Sequence, residues 1–130
     1  MVVLFVIGRI IFGGYFIFGS YNHFRNIGMM SGYAKSKGVP LAPLAIFFTG
    51  LLLLAGGLSM LFGVYPVLGI IILFIFLVPV SFVMHNYWAI TDPQDKMAQQ
   101  VNFLKNMALI GALLMFLMIP RPWLASIYLG

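Results

Sequence analysis

Few side chains in this 130-residue chain can do chemistry, and they fall into a pattern. Two histidines, His23 and His85, each stand where a long apolar run gives way to polar residues. Further on, Asp95, Gln99, Asn102 and Asn106 recur at steps of four, three and four, which puts them on one face of a helix. Lys105 flanks that stripe, and Trp88 and Arg25 lie close in sequence to the two histidines. Amides carried below the lipid headgroups cost free energy unless another polar group answers them. These residues read as a polar cup at one end of an apolar bundle. Imidazole, amide and indole groups at headgroup level, above an apolar slot with aromatic walls, suit a quinone ring.

Other chemistries are poorly served. The only two acids, Asp92 and Asp95, stand close together in one loop and do not make a distributed carboxylate pair. There is no cysteine, which removes disulfides, iron–sulfur clusters, thiolate metal sites and dithiol redox chemistry by this chain. No phosphate-binding glycine loop, nucleophile elbow or His-Glu-x-x-His pattern occurs, so no catalytic residue and no metal site is assigned.

The elements that must position the cup are membrane helices. With 63% hydrophobic and 7% charged residues and a mean hydropathy of +1.11, the composition excludes a water-soluble globule. The apolar runs are continuous rather than alternating, which argues against a barrel. The expected fold is an all-α, four-helix transmembrane bundle in a single domain, with spans over about residues 2–22, 41–62, 67–85 and 102–119. The first run is span-length without a charged leader or small-residue cleavage site, so it reads as a span rather than a signal peptide. The net charge of +5 is scattered, which argues for orientation in a bilayer and against nucleic acid. Arg25, Lys35, Lys37 and Lys96 fall in the loops after spans one and three. The positive-inside rule then puts both long loops in the cytoplasm and both termini outside the cell membrane.

Within the spans, Arg9, Gly13, Phe16, Ser20 and His23 share one face of the first helix. Arg9 lies about 10 Å into that helix. Either it snorkels to the near surface or it points inward and organises the bundle, in which case carbonyls, water or an anion must satisfy it. The loop from His23 to Pro40 reads as a solvated connector, with a short amphipathic helix around Met29, Met30 and Tyr33 as the other option. Ala55, Ser59 and Gly63 form a small-residue ridge for close helix packing, and Gly63 to Pro66 is a hairpin turn. Pro79 lies inside span three, and His85 and Trp88 would share a face if that helix continues. Asp92, Pro93 and Asp95 are a helix start, and Pro120-Arg-Pro-Trp123 reads as a stop with an interfacial aromatic anchor.

Four functions compete for these residues. One is structural: the polar groups fix helix register, and the chain serves as a scaffold or assembly protein. The second is a quinone site formed by His85, Trp88, Asn102, Lys105, Asn106, His23 and Arg25. The third is haem held by His23 and His85, a thin case with no further soft ligand. The fourth is transport of a small solute.

Arg9 with Gly13, Tyr33-Ala-Lys-Ser-Lys-Gly38-Val-Pro40, Gly56-Gly57, His85-Asn-Tyr-Trp88, and Asn102-Phe-Leu-Lys-Asn106 leading into Gly111 together resemble the DoxX family of small four-span membrane proteins. The resemblance covers nearly the whole chain. That family is named for a component linked to archaeal terminal quinol oxidase and thiosulfate:quinone oxidoreductase, and other members are associated with membrane redox and oxidative-stress complexes. The resemblance implies a quinone-linked accessory subunit with a redox partner subunit or a second copy of itself. Any enzymatic activity would belong to the assembly.

Overall fold

The computed structural model describes residues 1–127. It is all-α among these residues, but with five helices rather than four: α1 Val2–Arg25, α2 Ile27–Ser36, α3 Ala42–Phe62, α4 Pro66–Val83 and α5 Pro93–Phe116, plus a 3₁₀ turn at Tyr87–Ala89. The extra helix comes from the first loop, expected mainly as a solvated connector. Ala34 of α2 is buried with Ala42 and Ile46 of α3, and Ile27, Met30 and Met84 pack around them. An apolar stripe on ten residues is enough to dock a helix that could not stand alone.

Three stretches are long and apolar enough to cross a bilayer: Val2–Arg25, Ala42–Phe62 and Pro66–Ala89. Helix α5 matches α1 at 24 residues, but it opens with the polar run PQDKMAQQ and falls short of the same apolarity. It starts further upstream than the expected fourth span because Asp92 caps it, accepting a hydrogen bond from the Asp95 amide at 3.0 Å, with Pro93 at the first helical position.

Packing follows chain order, α1 on α3, α3 on α4 and α4 on α5, whereas α1 and α5 make no close backbone approach. The α1–α3 contact is tightest at two glycines. A Cβ on Gly13 would lie 2.7 Å from the Gly57 carbonyl oxygen and 2.8 Å from the Leu61 nitrogen, so only hydrogen fits. Gly56 receives the Leu73 side chain in the same way. The ridge expected at Ala55, Ser59 and Gly63 holds in part: Ala55 faces outward, and the neighbouring Gly56 and Gly57 carry the closest approach. Ser59 does pack inward on Gly69, and its hydroxyl donates to the Val64 and Tyr65 carbonyls across the hairpin at 2.6 and 3.2 Å. Gly63 takes a left-handed conformation at φ 68° to end α3, which a side chain would strain.

The chain end departs most from expectation. Trp123 is not an interfacial anchor but a core residue, 4% exposed, packed edge-on to Phe5 and Phe116. After α5 the backbone turns and lies across the end of the bundle, where the Ile127 amide donates to the Phe62 carbonyl at 2.9 Å. Arg9, 7% exposed, holds this hook. Its guanidinium donates to the carbonyls of Leu124 (2.6 Å), Ala125 (2.8 Å) and Leu61 (3.2 Å) and lies over the Phe5 ring. Of the two options for Arg9, the inward one holds, with backbone carbonyls as its partners. Three charge-assisted bonds offset much of the cost of taking a guanidinium out of water.

A candidate ring-binding cavity

At the opposite end from the hook the bundle is hollow. A cavity of about 1210 Å³ lies between α1, α4 and α5, with α3 behind it and α2 across it. Tyr15 and Phe18 of α1 and Lys105 of α5, all exposed, line it on the side where α1 and α5 make no close backbone approach. Its deep wall is apolar, built from Phe16, Leu53, Phe76 and Leu77. No carboxylate lines it, and its polar side chains include His23, His85, Gln99, Lys37, Lys105 and Asn106.

Each polar group is positioned by its helix. His23 falls on the face of α1 expected from spacing, and all five residues of that face, Arg9, Gly13, Phe16, Ser20 and His23, are buried. The His23 ring packs edge-on to Phe76, and its Nδ1 lies 3.0 Å from the Gly19 carbonyl oxygen. A carbonyl only accepts, so Nδ1 carries the proton, and in the neutral ring Nε2 is left as a bare acceptor. His85 stands just past the end of α4, with Nδ1 2.6 Å from Gln99 Oε1. Asn102 donates to the same oxygen at 3.4 Å, so two donors converge on one acceptor and fix the Gln99 amide. Asn102 thus stands behind Gln99 rather than in the cavity, and it orients His85 through that amide.

Asn106, one turn further along α5, is 5% exposed, lines the cavity and has no hydrogen bond to its amide among the described residues. The sealed side-chain atoms without a partner among the described residues are Arg9 Nε and Ser31 Oγ, so the Asn106 amide is instead accessible and can pair with what enters the cavity. Lys105 lines the cavity edge with its ammonium 5.5 Å from the Tyr15 ring centroid.

Helix α2 is tied to the segment after α4 at two points. The Tyr33 hydroxyl donates to the Met84 carbonyl at 3.1 Å, and the Lys37 ammonium donates to Asn86 Oδ1 at 2.9 Å. Burial, and behind it the Asp95 carboxylate, pushes the Tyr33 phenol above its ordinary range.

Three expected site residues lie outside the cavity: Asn102, behind Gln99, and Trp88 and Arg25. Helix α4 stops at Val83, so His85 and Trp88 do not share a face. Trp88, 52% exposed, packs on Phe82, Tyr87 and Phe103 outside the cavity. Arg25 is exposed and donates to the Tyr21 hydroxyl at 2.7 Å. Sequence reasoning passed over Gln99, Tyr33 and Lys37 as site residues. Gln99 was marked by its place on the polar stripe, and Tyr33 and Lys37 by their four-residue spacing in the basic loop.

No curated protein and no solved structure matches the chain. A family model described as DoxX matches residues 4–86, from the start of α1 through His85 and Asn86. The match is shorter than the resemblance in sequence suggested, leaving Trp88 and the Asn102–Asn106 stretch of α5 outside it. It nevertheless covers well over half of the molecule, including Arg9, the Gly13–Gly57 contact and both histidines, and with the apolar helices it establishes that this multi-pass membrane protein belongs to the DoxX family.

Proposed function

We propose that the cavity receives the ring of a membrane quinone or quinol, and that the protein is an accessory subunit of a quinone-linked redox system. The observation that carries this reading is the composition of the cavity. An apolar, aromatic-walled chamber of about 1210 Å³ offers two imidazoles bonded within the protein at Nδ1, the accessible amide of Asn106 and the Lys105 ammonium at its edge, with no carboxylate. A quinoid ring with an isoprenoid tail has the complementary chemistry: two oxygens at opposite ends of a flat apolar ring and a tail that stays in lipid. The side where α1 and α5 make no close backbone approach suits a ligand arriving from the bilayer. In this reading α5 makes the fourth crossing, the cavity lies at the cytoplasmic end, and both termini are outside. His85, His23 and Asn106 face the ring oxygens, Gln99 and Asn102 orient His85, and Lys105 supplies positive potential at the cavity edge. Without cysteine the chain offers no thiol or iron–sulfur acceptor, and in this reading electrons drawn from or given to the ring are exchanged with a partner subunit.

The test is photolabelling in native membranes with an azido-quinone of short tail. Labelled peptides should come from α1 around Gly19–His23 and from α5 around Gln99–Asn106. Excess unlabelled quinone should suppress the labelling, and Asn106→Leu should reduce it. Labelling spread over the lipid-facing positions, unaffected by competitor, would defeat the proposal.

A further inference from the structure

Both histidines of the cavity have their Nδ1 atoms committed inside the protein. His23 donates to a backbone carbonyl, which has no alternative role, at 3.0 Å. His85 donates at 2.6 Å to an amide oxygen that Asn102 also approaches as donor at 3.4 Å. The two rings therefore present acceptors, not donors, to whatever lies beside them. We infer that the cavity favours the reduced, dihydroxy form of its ring ligand over the oxidised, dicarbonyl form, an inference that rests on the ring-binding role proposed above.

The reasoning is one of matched and unmatched hydrogen bonds. A hydroquinone hydroxyl donates to a bare Nε2 and completes it. A quinone carbonyl oxygen beside the same nitrogen sets one lone pair against another and leaves both without a hydrogen bond. Asn106 and Lys105 can donate to a carbonyl, so the oxidised form is still held, but more weakly. Sites built to pair a substrate hydroxyl reject analogues lacking it strongly, because the site's own buried groups are then left unpaired. With two such acceptors in a cavity open on one side, the expected preference is about tenfold to a hundredfold. A tenfold preference raises the midpoint potential of the bound two-electron couple by about 30 mV relative to the free couple. Gln99 is then a specificity-determining residue that acts through His85 without touching the ring.

The experiment is anaerobic calorimetric titration of the intact protein in nanodiscs with a decyl-tailed benzoquinone, in its oxidised form and as the chemically reduced hydroquinone. The expected result is tighter binding of the reduced form by at least about tenfold. In Gln99→Leu the Nδ1 proton of His85 loses its acceptor, the ring is free to carry its proton on Nε2, and the ratio falls towards unity while the oxidised form still binds. A second variant, His85→Leu, weakens the reduced form more than the oxidised one. Equal affinities, or tighter binding of the oxidised form, would overturn the inference and leave the ring-binding role standing. A ratio unmoved in Gln99→Leu would overturn the part assigned to Gln99. If neither form binds, the proposed function fails and the inference fails with it.

Discussion

Replacing Arg9 by methionine keeps most of the side-chain volume and removes the two hydrogen bonds to the C-terminal hook, together with the one to Leu61 of α3 that steadies the guanidinium. Hydrogen bonds from a charged group contribute about 1.5–3 kcal/mol each, so the two to the hook sum to roughly 3–6 kcal/mol. Removing the guanidinium also removes its desolvation cost, several kcal/mol for a buried ion. The net expectation is that the hook loses about 2 kcal/mol of docking stability, with the carbonyls of Leu124 and Ala125 left to find water. The local readout is the Ile127 amide, which donates to Phe62 at 2.9 Å. A loss of about 2 kcal/mol accelerates its hydrogen exchange about 30-fold if exchange goes through undocking of the hook. Trp123 fluorescence, read in a Trp88→Phe background, should shift to the red as the indole leaves its contacts with Phe5 and Phe116. Arg9→Lys should recover only part of the effect, since one ammonium cannot span three carbonyls as a planar guanidinium does. Unchanged Ile127 exchange and unchanged Trp123 emission in Arg9→Met would refute the hook as an Arg9-held element.

Three further outcomes follow from the packing and the cavity. Gly13→Ala should lower stability by about 1–3 kcal/mol, because its Cβ meets only backbone atoms, whereas Gly14→Ala, with open space around it, should stay within about 0.5 kcal/mol. Mixed-micelle denaturant titration reads both. Tyr33→Phe should loosen α2 by about 1 kcal/mol through the lost bond to Met84, seen as faster proteolysis between Ser36 and Leu41. The raised Tyr33 phenol sets the sign of the pH effect: its contribution is complete below the ordinary phenol range and is lost as pH rises through that range to the raised folded value. Phenolate absorbance of wild type minus Tyr33→Phe gives the titration. His85→Phe combined with Asn106→Leu should weaken quinol binding at least tenfold with little change in thermal stability, as each removes a polar group lining the cavity.

How much of this was legible in sequence depended on whether the deciding contact was local. Spacing of four and three along α1 named Arg9, Gly13, Phe16, Ser20 and His23, and all five are buried, because one helix face is a purely local property. The Asp92-Pro93 start of α5 was legible for the same reason. The polar stripe was right in direction, but it overstated depth: Asn106 is buried, Gln99 and Asn102 only partly, and Asp95 is exposed. Of the small-residue ridge, Ser59 and Gly63 turn inward and Ala55 does not, since Ala55 and Gly56 are both small and spacing cannot say which of them meets the neighbouring helix. Trp123 was misjudged because Pro-Arg-Pro-Trp has the composition of an interfacial stop, while its burial depends on Arg9 and Phe5 at the far end of the chain. Trp88 was placed beside His85 on the condition that the helix continued past residue 85, and it ends at Val83 instead.

The central claim, a ring site built on two imidazole acceptors, is tested most directly by nitrogen-15 NMR of histidine-labelled protein in bilayers. The chain has two histidines, so the spectrum is readable without further assignment tricks. The account predicts that both rings carry the proton on Nδ1 and leave Nε2 bare, and that added hydroquinone moves both Nε2 resonances while the Nδ1 resonances stay close to their starting positions. Rings protonated on Nε2, or Nε2 resonances indifferent to saturating hydroquinone, would contradict it.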